Sequence, residues 1–139
     1  MIQKSENQFR DSRLRPLLDL LPRTGYFIKE AKSIVGIPDI IGDSNSKAWM
    51  LEVKKSNNAK RSAMQEYRIN KALSRGSFAS FVYPENYYFV LCSLIEHCFE
   101  AYEAQSLTVL LLESLPVAER KRLIPLLKQQ TPAENISLF

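Results

Sequence analysis

Two acidic residues and a lysine have the types and the spacing that metal-dependent hydrolysis requires. Asp39 lies in the isoleucine-rich segment 37–41, where a charged side chain is costly unless it is paired. Glu52 and Lys54 are separated by one residue, so in a β-strand both side chains point to the same face. Carboxylate oxygens are preferred ligands of Mg²⁺, and an adjacent lysine supplies a positive charge and a proton relay beside the bound water. The alternative is that Glu52 and Lys54 form an ordinary exposed ion pair.

This site needs two strands that run side by side. Residues 37–41 and 48–54 are predicted as strands, and the turn-forming residues 42–46 between them predict a hairpin. Antiparallel pairing across this turn brings Asp39 next to Glu52. The second strand presents Met50, Glu52 and Lys54 on one face and Trp49, Leu51 and Val53 on the other.

The remaining pattern predicts helices and further strands around this hairpin. An N-terminal helix starts at the cap Ser5 and is bent or split at Pro16. A later helix ends at Gly76, since glycine readily takes the left-handed conformation of a helix end. The other predicted elements are strands over 26–28 and 78–83 and helices over 60–75, 87–102, 107–115 and 117–128, with 87–92 as an alternative strand and Pro125 bending or ending the last helix. This order predicts an α/β sandwich with a mixed sheet.

The rare residues exclude several classes of site. One histidine, His97, and two cysteines, Cys92 and Cys98, exclude zinc fingers, Cys₄ sites and nucleases built on paired histidines. The four glycines form neither a G-x-x-x-x-G-K nor a G-x-G-x-x-G loop, so no nucleotide cofactor is expected. No apolar run reaches the ~18 residues of a membrane span, and no signal peptide is recognised. We therefore expect no membrane contact and an intracellular protein with reduced cysteines.

Short motifs follow one another in a fixed order between residues 5 and 90. They are Gly36-Ile37-Pro38-Asp39, then Leu51-Glu52-Val53-Lys54, then Gln65 on a helix, then Gly76-Ser77-Phe78-Ala79. Pro38-Asp39, twelve intervening residues and Glu52-Val53-Lys54 resemble the PD-(D/E)xK nuclease signature. The ordered set resembles the VRR-NUC branch, the virus-type replication and repair nucleases, and is far more specific than the Asp-x₁₂-Glu-x-Lys element alone.

The resemblance implies a fold and a reaction. The fold would be a restriction-endonuclease-like three-layer α/β core over residues 1–103, with a C-terminal helical extension over 104–139. The reaction would be hydrolysis of DNA phosphodiester bonds with Mg²⁺ or Mn²⁺, at Holliday junctions or other branched DNA in replication, recombination or repair. Small single-domain nucleases of this kind gain a second active site by pairing, so a homodimer is expected.

The resemblance also assigns roles to particular residues. Asp39 and Glu52 would be metal ligands, together with the backbone carbonyl of Val53, and Lys54 would be the catalytic lysine. A further acidic residue on the first helix would be Glu6, with Glu30 as the competing candidate. Gln65 would line the metal site, and it falls on a predicted inward stripe with Ile69, Ala72 and Leu73.

Positive charge is concentrated in the first half of the chain. Up to residue 75 there are 15 lysines and arginines against 8 aspartates and glutamates, which predicts a polyanionic partner, here DNA. We expect DNA phosphates to be contacted by Lys55, Lys60, Arg61, Arg68 and Lys71. Arg75 is a further basic residue on the predicted helix over 60–75. The alternative is that these residues form only a solvated helix face.

Other interpretations stay open at this point. The chain is alternatively a non-catalytic DNA-binding or assembly protein with the nuclease fold, or a sequence-specific nuclease, for which its loops are short. The aromatic residues Tyr83, Tyr87, Tyr88 and Phe89 would stack on unpaired bases or, in the favoured interpretation, belong to the core. The leucine-rich stripes of the last two helices, with Leu110, Val117 and Ile124 among them, would cap the core or form a dimer interface.

Overall fold

The computed structural model describes residues 2–29 and 38–129 of the chain. In this part, helices surround a four-stranded mixed sheet, which confirms the predicted α/β class. The elements are α1 (Ile2–Phe9), a π-helical turn (Arg10–Leu14), α2 (Arg15–Leu18), β1 (Thr24–Ile28), β2 (Ile40–Ser44), β3 (Lys47–Val53), α3 (Ala63–Ser74), β4 (Phe78–Val82), α4 (Tyr87–Cys98), α5 (Ala101–Ser114) and α6 (Val117–Gln129). No helix among the described residues is long and apolar enough to cross a membrane.

The N-terminal helix is split near Pro16, as predicted. The N–H of Arg15 donates to the carbonyl of Arg10, five residues earlier, and this wider turn lies directly before the proline. Proline has no N–H and its ring crowds the preceding turn, so the regular hydrogen-bond ladder is interrupted there. The predicted start at Ser5 is wrong, because α1 begins at Ile2.

The four strands lie in the order β1-β2-β3-β4. The first three are antiparallel neighbours, whereas β4 runs parallel to β3 after the crossover through α3. The predicted second strand, 37–41, is placed too early, since β2 runs to Ser44 and the turn is reduced to Asn45 and Ser46. Both turn residues have positive φ values, 52° and 69°, as tight hairpin turns require. Ser44 is retained in the strand because its buried hydroxyl accepts a 3.0 Å hydrogen bond from the Trp49 indole.

The sheet lies between two helical layers of unequal size. Trp49, Leu51 and Val53 point into the larger hydrophobic layer, as predicted, and α1, α2, α4, α5 and α6 all contribute to it. The smaller layer, under α3, consists of Ile69, Ala79 and Phe81, with Met50, Ala72 and Tyr83 packed against it. Leu73 was expected to face the sheet but is half exposed. It lies eight residues after Gln65, and at 100° per residue this rotates it about 80° away from the inward stripe.

The helical half of the chain is divided differently from the prediction. The predicted helix over 87–102 ends at Cys98, because Phe99 is extended and the Glu100 carboxylate caps a new helix by accepting from two backbone N–H groups. The helix predicted over 107–115 therefore starts earlier, at Ala101, and the expected 103/104 boundary lies inside α5. The last helix does not end at Pro125 but continues to Gln129. Of the predicted stripes, Leu107, Leu111 and Leu115 are buried, whereas Leu110, Val117 and Ile124 are exposed.

Candidate functional site

Asp39 lies where the register of the hairpin places it, beside β3. Ile40 pairs with Leu51, so Asp39 falls opposite Glu52. The Asp39 Oδ2 atom accepts a 2.8 Å hydrogen bond from the backbone N–H of Val53, and its Oδ1 atom is 3.6 Å from the Lys29 ammonium. The structure thus brings together the two acidic residues that the hairpin pattern predicted to be neighbours. Gly36 and Ile37 of the first motif, and Glu30, lie outside the described residues.

Glu52 is completely buried on the α3 side of the sheet. Its Oε2 atom accepts two hydrogen bonds from Arg68, at 3.0 Å from Nε and 2.6 Å from Nη2. Its Oε1 atom is buried and has no hydrogen-bond partner. Burial raises the pKa of Glu52 above the ordinary glutamate range, the Arg68 bond opposes this rise, and the nearby charge of Asp39 adds to it. A buried acidic oxygen without a partner is costly, so Oε1 is the atom of Glu52 at which an added donor or cation would be most favourable.

The Lys54 ammonium is held at the N-terminal end of α3. Its Nζ atom donates to the carbonyl of Lys60 at 2.9 Å and to Gln65 Oε1 at 2.7 Å. Gln65 Oε1 also accepts from the N–H of Ser62, while the Ser62 hydroxyl accepts from the N–H of Gln65. This reciprocal capping fixes the position of the Gln65 side chain. Gln65 in turn holds the Lys54 ammonium. These two bonds use two of the three N–H groups of the Lys54 ammonium, so the third can donate to a ligand at the site.

Glu6 belongs to the same electrostatic cluster, although α1 is distant in sequence. Partial burial raises the pKa of Glu6, the positive charges of Lys54 and Lys55 lower it, and the negative charge of Asp39 raises it again. The Glu6 carboxyl is therefore within electrostatic range of Asp39 and Lys54. Direct hydrogen bonds join Asp39 to the Val53 backbone, beside Glu52, and Lys54 to Gln65.

The five predicted phosphate contacts fall into two groups. Lys55, Lys60, Arg61 and Lys71 are exposed, whereas the Arg68 side chain is only 16% exposed and is committed to Glu52. The Arg61 guanidinium lies 4.2 Å from the centre of the Phe81 ring, and Lys71 Nζ is 3.0 Å from the Tyr67 hydroxyl.

The sequence interpretation missed Ser62, and it predicted Arg68 as a phosphate contact, whereas the structure pairs Arg68 with Glu52. The capping serine, Ser62, is detectable as Ser-x-x-Gln, a recognised helix-start pattern. Arg68 is detectable because it lies three residues after Gln65, on an adjoining part of the same helix face. Its pairing with Glu52 depends on how α3 packs on the sheet, so no local pattern specifies that pair.

The donor chemistry of the site fits a hard divalent cation. Its acidic side chains offer oxygen ligands, and Glu52 Oε1 has no hydrogen-bond partner among the described residues. In the described residues, no group of three or more His, Cys, Asp or Glu side chains is gathered closely enough to hold a metal. The reason is visible in the contacts: the Val53 N–H and Arg68 each hold one oxygen of the two central carboxylates.

The comparisons with known proteins identify no relative. No protein-family model matches the chain, and no match is found among curated proteins or solved structures. The functional argument therefore depends on the geometry of the site.

Proposed function

We propose that this chain is a divalent-metal-dependent DNA nuclease of the PD-(D/E)xK type, similar to the VRR-NUC branch, with a restriction-endonuclease-like core. The observation that carries the proposal is the cluster of Asp39, Glu52 and Lys54, in which a fully buried glutamate keeps one unpartnered oxygen. The mixed sheet between two helical layers supports it, because the start of β2, next to Asp39, lies beside the end of β3, which carries Glu52.

Each residue of the cluster has a distinct role in this proposal. Asp39 and Glu52 would hold Mg²⁺ or Mn²⁺, with the Val53 carbonyl and Glu6 as further oxygen donors. When bound, the metal activates water and offsets negative charge on the scissile phosphate. Lys54, fixed by Gln65, would donate its remaining N–H to the attacking water or to the phosphate. The exposed cations Lys55, Lys60 and Arg61 would hold the flanking DNA backbone.

The test is cleavage of labelled duplex, single-stranded, flap and four-way-junction DNA with Mg²⁺ or Mn²⁺. We expect metal-dependent cleavage, with losses of at least about 100-fold in Asp39→Asn and in Lys54→Met, because each change removes a group that acts on the reacting phosphate. Glu113→Gln on α5 and Lys121→Gln on α6 are the matched controls, since both are exposed and lie on other elements. Binding of Mn²⁺ without DNA, followed by electron paramagnetic resonance, is expected to weaken in Asp39→Asn. Full cleavage in both site variants would overturn the proposal.

A second candidate function is DNA binding without catalysis. The ion pair between Arg68 and Glu52 favours this second function, because a guanidinium that already neutralises Glu52 reduces the need for a metal there. This candidate predicts salt-sensitive binding of the same DNAs, no cleavage with either metal, and no binding of Mn²⁺ to the free protein.

A further inference from the structure

Half of the sheet face on the α3 side is uncovered. Phe27, Ile41 and Met50 are neighbours across β1, β2 and β3 and share this face. Because α3 packs over β3 and β4, it leaves Phe27 53% exposed and Ile41 38% exposed. An exposed phenylalanine on the edge strand next to an exposed isoleucine on β2 forms an apolar patch, and such patches can mark a binding site.

This uncovered face is the floor of a cavity of about 550 Å³. Its walls are largely apolar and include Ala48 and Ala72 as well as the three side chains of the floor. A flat apolar floor with an aromatic ring at its edge suits a planar, weakly polar group. It does not suit a phosphate, which needs donors or positive charge.

The candidate site lies farther along the same sheet face, beyond the residues that line the cavity. Ile41 is two residues after Asp39, and Met50 is two residues before Glu52, so all four lie on one face of the same two strands. Two residues along a strand span about 7 Å, which is close to the length of one nucleotide in an extended single strand. A strand held with its scissile phosphate at Asp39 and Glu52 therefore places the next nucleotide over Phe27.

A second cavity, of about 410 Å³, adjoins the first at Phe27 and carries positive charge. Arg10, Arg15 and Lys29 contribute to its walls. Arg10 is bonded to Asp11 and Asn7. Arg15 is hydrogen-bonded to Tyr26 and lies 3.6 Å from Asp11, and Lys29 lies 3.6 Å from Asp39. The edge of β1 thus offers an aromatic ring with cations beside it, the combination that binds a base together with its phosphate.

We propose that the Phe27 face binds an unpaired nucleotide next to the scissile phosphate, with its base stacked on Phe27 and its phosphate near Arg15 and Lys29. The base must be unpaired, since a base inside a duplex has both faces covered by its neighbours. This inference rests on the proposed function and narrows the substrate to DNA with a single-stranded nucleotide at the cut, such as a flap or a fork.

The test measures binding and crosslinking in the Asp39→Asn variant, so it does not depend on cleavage. A 5-iodouracil is placed at the unpaired nucleotide of a flap and, separately, at a paired position of a matched duplex. On irradiation we expect a crosslink mapped to Phe27 with the flap only. Phe27→Leu is expected to abolish it and to weaken flap binding about 5- to 50-fold, as loss of one stacked base does, with duplex binding unchanged. Phe27→Tyr is expected to retain both, and Tyr102→Leu, at an exposed aromatic residue on α5, to change neither.

Three results would overturn the inference. They are a crosslink elsewhere, an equal loss of flap and duplex binding in Phe27→Leu, and conversion of a dimer to a monomer by Phe27→Leu in sedimentation, which would assign the face to a second copy of the chain. Circular dichroism and the melting temperature establish that each variant is folded. If the wild type cleaves no DNA but the Phe27 crosslink forms, the nuclease proposal fails and the nucleotide site stands.

Discussion

Glu52 is a carboxylate that the fold removes from water and pairs with the Arg68 guanidinium. Burial of a carboxylate costs several kcal/mol. Arg68 offsets that cost by donating two hydrogen bonds to one of the two Glu52 oxygens, Oε2. The other oxygen receives nothing from the described residues. A purely structural ion pair gains most when both oxygens are bonded, so the unsatisfied oxygen is evidence for a role outside the apo fold.

Replacing Arg68 tests how this buried charge is balanced. Arg68→Met is expected to lower the free energy of unfolding by about 3 kcal/mol, because it leaves an uncompensated buried carboxylate. Mn²⁺ is expected to recover part of the loss, since a cation at Glu52 replaces the missing charge. Urea denaturation with and without Mn²⁺ measures both effects.

Arg122→Met provides the comparison for this measurement. Arg122 is more exposed and pairs with Glu119 at 3.1 Å, a contact typically worth ~0–1 kcal/mol. Equal losses of unfolding free energy in the two variants would show that the Arg68–Glu52 pair stabilises the fold no more than the Arg122–Glu119 pair does. A loss in Arg68→Met that Mn²⁺ leaves unchanged would count against a metal at Glu52.

At the scale of elements, the hairpin shows what the sequence allows one to predict. Because successive side chains of a strand point to opposite faces, the sequence of β3 correctly predicted which of its residues enter the larger core. It also correctly predicted that Glu52 lies on the opposite face. The extent of β2 was missed, since Gly42 and Asp43 have turn composition. Both residues nevertheless pair with β1 and β3, and the Ser44 hydroxyl is bonded to Thr24 and Trp49. Phe27 was predicted to lie in a strand, but whether a neighbouring layer covers it is decided by where α3 packs, which depends on the whole fold.

Gly42 provides a test of the observed register. A Cβ atom there would lie 2.5 Å from the Trp49 ring and 2.6 Å from the carbonyl oxygen of Gly25, closer than packed atoms allow. Gly42→Ala is therefore expected to destabilise the fold by about 1–3 kcal/mol, as overpacking does. The matched control is Gly25→Ala, whose Cβ would meet only Asp43 Oδ1 at 3.7 Å. Thermal unfolding distinguishes them, and similar melting temperatures for the two variants would contradict the register.

At the scale of the whole molecule, the basic surface and the site lie on one side of the fold. Lys55, Lys60 and Arg61 occupy the segment between β3 and α3, directly after Glu52 and Lys54 of the candidate site. If they contact DNA phosphates, changing all three to Gln is expected to reduce the slope of log affinity against log salt by about one per residue. Fluorescence anisotropy over a range of salt concentrations measures this slope. Lys121→Gln on α6 is expected to leave the slope unchanged. An equal change of slope in Lys121→Gln would indicate that DNA is attracted by the overall positive charge and not by these three residues.

The larger core layer is closed by residues from opposite ends of the described chain. The Phe9 ring packs edge-on against Tyr87 at 5.6 Å, and the Tyr87 hydroxyl donates to Glu119 at 2.8 Å. Leu14, which is fully buried, belongs to the same cluster as Leu123. During synthesis on the ribosome, the leucines of the first helices emerge long before α4 and α6 exist to cover them. The nascent chain must therefore keep these apolar residues exposed until α6 has been synthesised, and at that stage they are a site for chaperone binding or for aggregation.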